Sequence, residues 1–153
     1  MKPTIVEQPP LRAACVHHRG PYHLIGEAFD RLHLDVTSWL HSDVALPLIA
    51  IFYDDPATVP PADLRSHAGI VLPPALVIPA QLIEVVLPGG RHLKGRHHGP
   101  YETLQHTWAS LRENLQRGDG PRRRPGPSYE VYLNTPGTAA PNDLLTEIFI
   151  PVT

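Results

Sequence analysis

The chain has 153 residues, 42% hydrophobic and 18% charged, with a formal net charge of −2. That length can bury one real core, the composition is ordinary for a folded protein, and the charge balance offers no footprint for nucleic acid or an anionic membrane. Cys15 is the single cysteine, which excludes an intrachain disulfide and a cysteine-built zinc cage and suits a reducing cytoplasm.

The opening stretch, MKPTIVEQPP, lacks the apolar segment of a signal peptide. No window approaches the roughly 20 apolar residues that cross a bilayer, so a cytoplasmic location is expected. The 19 prolines predict many short elements divided by fixed turns.

In chain order, a strand is expected over Leu11–His18, followed by the phrase HHRGPY and a helix over 21–40. Ile25, Phe29, Leu32 and Val36 recur at helical spacing, and Trp39 continues that stripe. IAIFY then reads as a strand, followed by a proline turn, a short helical turn after Pro61 and another strand. The segment ALVIPAQLIEVVLPGG links the halves, and Pro88-Gly89-Gly90 turns the chain back.

The second half begins with a strand over Leu93–His98, the phrase RHHGPY and a helix over 100–116, with Leu104, Trp108, Leu111 and Leu115 on one face. Proline at the first turn of each helix loses nothing there by lacking an N–H. Gly118 and Gly120 are stops for the second helix. The run Arg122-Arg123-Arg124 reads as a solvated loop. YEVYL and TEIFIPV supply two further strands, with a proline turn between them.

The halves are copies. Gly20-Pro21-Tyr22 and Gly99-Pro100-Tyr101 stand 79 positions apart, and Ile25, Phe29, Leu32 and Val36 fall on Leu104, Trp108, Leu111 and Leu115. Further on, Pro56, Thr58, Pro61, Asp63 and Leu64 fall on Pro136, Thr138, Pro141, Asp143 and Leu144. The expectation is an α+β fold: a strand-helix-strand-strand unit in tandem, repeat 1 at about 1–75 and repeat 2 at about 80–153, in one domain over 1–153. Its antiparallel sheet would carry both helices on one face, with a ligand groove between the halves.

The chain is identified by these residues as resembling the GyrI-like superfamily, the effector-binding domain of AraC- and MerR-type transcription factors. The resemblance rests on HHRGPYHLIGEAFDRL, FYDDPATVPPADLR, HHGPYETL and YEVYLNTPGTAAPNDLLTEIFIPV, and it covers nearly the whole chain. It implies a groove for diverse small molecules, often flat, apolar or cationic. It also implies that some members counter toxins of DNA gyrase or bind gyrase, and that some hydrolyse cyclopropane-bearing alkylators. The two repeats leave no room for a helix-turn-helix, so direct DNA binding is not expected, nor is a membrane partner. His67 stands near a position where relatives carry an acid, and no function is attached to it.

Side chains alternate across a strand. Glu130 and Tyr132 therefore share a face, as do Glu147 and Phe149, and both pairs are expected opposite the aliphatic core. A carboxylate beside aromatic rings suits a flat cation. The first copy has Ala50 where the second has Glu130, and Gly69 where it has Glu147, so the fold alone does not demand these acids. Two such carboxyls close together would push one pKa upward and allow acid and base roles. The resemblance gives Glu147, within TEIFIP, the larger share of the ligand-binding or catalytic role.

Tyr22, Phe52, Tyr101, Tyr132 and Phe149 are the aromatic candidates for the walls; Phe29, Trp39 and Trp108 read as core. The ten histidines do not read as metal ligands, because adjacent histidines on a strand face apart and the spacing of a zinc site is missing. His18 and His97, just before the helix starts, are assigned to turn-capping or edge-strand roles. No cofactor is expected. The leading function is a stand-alone binder of a drug or toxin, protective by sequestration or as a gyrase modulator, with DNA gyrase a candidate partner. The alternative is a hydrolase of cyclopropane-type electrophiles that uses a groove glutamate as general base, with Tyr22, Tyr101 or Tyr132 as a proton donor.

Overall fold

In the computed structural model, which describes residues 2–40 and 46–153, a short strand, β1 (Thr4–Gln8), precedes the first repeat. The first copy then runs β2 (Leu11–Arg19), a 3-10 turn at Tyr22–Leu24, α1 (Gly26–Thr37), β3 (Leu48–Phe52), a turn at Pro61–Asp63 and β4 (Arg65–Val71). After β5 (Ile83–Leu87) the second copy runs β6 (Gly90–His98), a turn at Tyr101–Thr103, α2 (Leu104–Gln116), β7 (Ser128–Tyr132), a turn at Pro141–Asp143 and β8 (Leu145–Pro151). The α+β class and the strand-helix-strand-strand duplication are as the repeat implied.

Each Gly-Pro-Tyr phrase is a strand-to-helix joint. Gly20 and Gly99 have φ of +126° and +129°, values that side-chain-bearing residues rarely adopt. Their N–H groups donate to Leu64 O and Leu144 O, each at 2.8 Å, which ties each joint to its own proline turn. Proline and tyrosine then form the 3-10 turn, and the α-helix starts one turn later than the sequence pattern alone suggests. At the far end of α2, Gly118 takes a left-handed φ of +81° just past the cap, which stops the helix.

Contacts divide the chain into two units, Pro10–Pro88 and Met1–Pro9 with Gly89–Thr153. In the first, four antiparallel strands lie in the order β3-β4-β2-β5, and in the second the order is β1-β6-β8-β7. β1 thus pairs with β6, and β5 with β2, so each unit takes one strand from outside its own repeat. Neither strand is expected from the sequence: TIVEQ is short and half polar, and β5 lies within the linking segment.

Each helix lays its apolar stripe on its own sheet. Leu32 packs with Ala14, Ile70 and Leu72, flanked by Phe29, Val36 and Trp39. Leu111 packs with Leu93, Ile148, Ile150 and Val152, flanked by Leu104, Trp108 and Leu115. Full burial of each leucine stabilises the fold by roughly 1.5–3 kcal/mol. Tight packing also explains Gly69, opposite Cys15 in the ladder: a Cβ there would lie 2.5 Å from Cys15 Sγ and 2.8 Å from Ala14 O.

Candidate functional site

The most unusual polar group is Glu130, in the middle of β7 and only 5% exposed. Its two carboxyl oxygens are held separately. Trp108 Nε1–H, from α2, donates to Oε1 at 2.6 Å, and the Tyr132 hydroxyl, two residues along the same strand, donates to Oε2 at 2.6 Å. The Tyr101 ring stands edge-on to Tyr132, with centroids 5.5 Å apart. Among the described residues no lysine or arginine forms an ion pair with Glu130.

Burial pushes the Glu130 carboxyl above its ordinary value, and the Tyr132 and Trp108 hydrogen bonds and the nearby His97 only partly offset it. Tyr132 is driven well above the ordinary phenol range by burial and then by Glu130 itself. Tyr101 is raised by burial and by the same carboxyl. The arrangement is a desolvated acid with two fixed donors and aromatic faces beside it.

Glu147 is placed quite differently. It lies opposite Val131 in the ladder, whereas Glu130 lies opposite Ile148. Residues directly across an antiparallel pair share a face, so the two glutamates leave the sheet on opposite sides. The expectation that both stand opposite the aliphatic core is corrected: Glu147 does, and Glu130 is on the Ile148 side with α2. Alternation fixes parity within a strand but not the phase of one strand against the next, which register sets. Lys94 Nζ and Arg96 Nη2 reach Glu147 Oε2 at 2.8 and 3.0 Å. Burial pushes Glu147 upward, but these two cations outweigh it and hold the carboxyl below its ordinary value. Phe149 shares that face, stacked on Tyr129 at 4.9 Å with Lys94 5.9 Å from its ring.

The first-half counterpart is apolar throughout. Trp108, Glu130 and Tyr132 correspond to Phe29, Ala50 and Phe52, so every hydrogen-bonding group of the trio is deleted together in the twin. The Tyr22 and Phe52 rings do meet, at 4.8 Å, as Tyr101 and Tyr132 do. The Tyr22 hydroxyl is occupied by the Asp54 carbonyl at 2.9 Å and the Asp54 N–H at 3.0 Å, which anchors the proline turn.

The ladders also correct the match of Glu147 with Gly69. Ala50 pairs with Ala68 as Glu130 pairs with Ile148, so the true counterpart of Glu147 is His67. Its Nδ1 lies 2.8 Å from the Tyr53 hydroxyl, and burial followed by neighbouring His17 lowers it to about 4. A charged cluster in one half is matched by a neutral one in the other.

His18 and His97 do cap the joints: His18 Nε2 meets Pro21 O at 3.2 Å and His97 Nε2 meets Pro100 O at 3.0 Å. The arginine run is more than a solvated loop. Arg123 Nη2 donates to Gly126 O, and Arg124 donates to Val152 O and Arg91 O, so these side chains fasten the segment before β7. Trp108 is the residue that periodicity passed over. It belongs to the core stripe, but its N–H is committed to Glu130, and only the absence of that pairing in Phe29 and Ala50 could have signalled it.

The second half of this duplicated α+β scaffold thus holds a buried carboxyl, fixed by two donors, beside aromatic rings. The chain belongs to the GyrI-like small molecule binding domain family, which it matches over residues 1–153. It is 28% identical over 138 residues to a DNA gyrase inhibitor of Yersinia enterocolitica, covering 85% of each chain. The EcmrR C-terminal domain has the same fold, with a TM-score of 0.79 at 15% identity over 99% of this chain and 97% of that one. So does a protein solved bound to tetraphenylphosphonium, with a TM-score of 0.71 at 13% identity over 100% of this chain and 94% of that one. Among the described residues no helix is long and apolar enough to cross a membrane.

Proposed function

We propose that this chain binds flat or apolar organic cations through the second-half site, with Glu130 as the carboxylate and Tyr101, Tyr132 and Trp108 as the surrounding rings. The observation that carries this reading is the capped Glu130 carboxyl, present in one half and deleted, with both its donors, in the other. A buried charge without a partner is costly, and a cation that arrives without hydrogen-bond donors can neutralise it while Trp108 and Tyr132 keep their bonds. Aromatic faces add attraction for the same charge. Tetraphenylphosphonium, found with a protein of this fold, is a suitable probe.

Calorimetric titration of that ion into the wild type should give saturable binding, weakened about tenfold or more in Glu130→Gln, a loss of about 1.4 kcal/mol or more. Equal affinity in the two proteins would overturn the carboxylate assignment. Tyr22 and Phe52 form the matching aromatic pair of the first half, and Glu147 and Phe149 lie on the face of the second-half sheet opposite Glu130.

Sequestration of a toxic cation would suffice for a protective role. The likeness to a DNA gyrase inhibitor supports gyrase as a partner, and retention of gyrase on the immobilised protein tests it. The Tyr132–Glu130 contact favours one further reading, in which the pair exchanges a proton during hydrolysis of a strained electrophile. Mass spectrometry of a cyclopropane alkylator after incubation decides it: more than one ring-opened product per protein is turnover, and none supports binding alone.

A further inference from the structure

His97 does more than cap a turn. Its Nε2 meets Pro100 O, which can only accept, so Nε2 carries a proton; Thr103 Oγ1 lies 3.1 Å from the same nitrogen and itself donates to Pro100 O at 2.9 Å. The other nitrogen, Nδ1, meets Thr107 Oγ1 at 2.7 Å. The ring is only 6% exposed. One imidazole on β6 thus grips both elements that serve Glu130. Thr107 immediately precedes Trp108 on α2, and Pro100 immediately precedes Tyr101 at the turn.

The twin half lacks this arrangement. His18 corresponds to His97 and keeps the carbonyl bond to Pro21. Thr103 and Thr107, however, correspond to Leu24 and Ala28, which have no hydroxyl to offer. The joint needs only the His–carbonyl bond. The two threonines occur in the half that has the carboxyl, the same pattern of selective addition that marks Trp108, Glu130 and Tyr132.

We propose that His97, with Thr103 and Thr107, is the positioning residue of the Glu130 site: it sets the helical turn from which Trp108 reaches Oε1 and the turn from which Tyr101 reaches Tyr132. The inference rests on the proposed role of Glu130 in binding, but its geometry can be read without any ligand. The titratable groups that bear on Glu130 are Tyr132 on its own strand and His97 on β6, with Tyr101 adjoining Tyr132. Any positive charge on His97 favours the ionised carboxylate.

The test uses full-length protein with Trp39→Phe, so that fluorescence reports Trp108 alone. In ligand-free protein, Trp108 emission is followed against pH, where the midpoint registers Glu130. His97→Gln should shift that midpoint upward and alter the emission maximum. Thr107→Val, which removes one hydroxyl at constant shape, should alter the emission, and Thr107→Ser should restore it. His18→Gln removes the matching joint bond in the first half and serves as the stability control; it should leave Trp108 emission and midpoint unchanged. Affinity for tetraphenylphosphonium should fall about three- to tenfold in Thr107→Val, the net worth of one hydrogen bond.

An unchanged Trp108 signal in both Thr107→Val and His97→Gln overturns the proposal, as does an equal change in His18→Gln. If the wild type fails to bind the probe while the Trp108 shifts appear as expected, the binding reading fails and the positioning role stands.

Discussion

Glu130 and Glu147 lie on adjacent antiparallel strands, yet their side chains leave the sheet on opposite faces, because Ile148 is the cross-strand partner of the first and Val131 of the second. They are therefore two independent acids rather than a coupled pair. One is buried and raised, with no ion pair among the described residues; the other is flanked by Lys94 and Arg96 and lowered.

Independence has a direct consequence for stability. Among the described residues the two side chains share no hydrogen-bond or ion-pair partner, so Glu130→Gln and Glu147→Gln together should change unfolding free energy by close to the sum of their separate effects. Urea unfolding of the four proteins checks this. A coupling energy above about 1 kcal/mol would mean that the carboxyls sense each other through the sheet.

Glu147 has a defined acid signature. Its folded pKa lies below the ordinary 4.5, so its contribution is present above that value and lost as pH falls through the lowered one. At pH 7, Glu147→Gln should cost no more than about 1 kcal/mol, since both cations are partly exposed. The difference between wild type and variant should vanish on acidification, as measured by unfolding at pH 7, 5 and 3.

The Glu130 cluster predicts a sharp contrast between two substitutions. Alanine removes the carboxyl that accepts from the Trp108 N–H and the Tyr132 O–H, at about 1–3 kcal/mol for each bond lost. Glutamine keeps an acceptor for Trp108 and can donate to Tyr132 after that hydroxyl rotates. Glu130→Ala should therefore destabilise by several times more than Glu130→Gln at pH 7, as read by urea unfolding. Equal losses would mean that the hydrogen bonds contribute little.

Much of this is legible in the amino-acid sequence. The repeat, offset by 79 residues through the helices and by 80 beyond them, locates both helices, both joints and the last two strands of each repeat, because helix periodicity and Gly-Pro punctuation are local signals. The offset also exposed Glu130, since Ala50 shows that the fold can do without an acid there. The face of Glu130 was not legible: alternation in YEVYL says that Glu130 and Tyr132 agree with each other, but not which side α2 covers. Trp108 was hidden for a related reason, because a core stripe records where an indole packs and not where its N–H points. β1 and β5 escaped because their partners lie outside their own repeats, and pairing at that distance leaves no periodic trace.

Gly69 offers a test of the packing that the first-half sheet requires. A methyl group there would meet Cys15 Sγ at 2.5 Å and the Ala14 carbonyl at 2.8 Å. Cys15 is fully buried, and burial raises its thiol to about 12. Gly69→Ala should destabilise by about 1–3 kcal/mol through overpacking, with only partial relief from Cys15→Ala because the backbone contact remains. In the wild type the thiol should resist alkylation until the protein unfolds. In Gly69→Ala it should react faster, as followed by mass spectrometry under native conditions.

The raised carboxyl of Glu130 should give stability and binding opposite slopes with pH. Its folded pKa exceeds the ordinary 4.5, so the protonated form is the one that folding favours. That contribution is whole below the ordinary value and is lost as pH rises through the folded one. Relative to Glu130→Gln, the wild type should therefore lose stability across this window and then level off. A cation needs the ionised form, so affinity for tetraphenylphosphonium should rise across the same window and be pH-independent in the variant. Unfolding and calorimetric titration at matched pH values give two curves, and a single carboxyl requires that both level off at the same folded-state pKa. A stability midpoint without a matching rise in affinity would separate the buried acid from the ligand, leaving Glu130 as a structural carboxyl held by Trp108 and Tyr132.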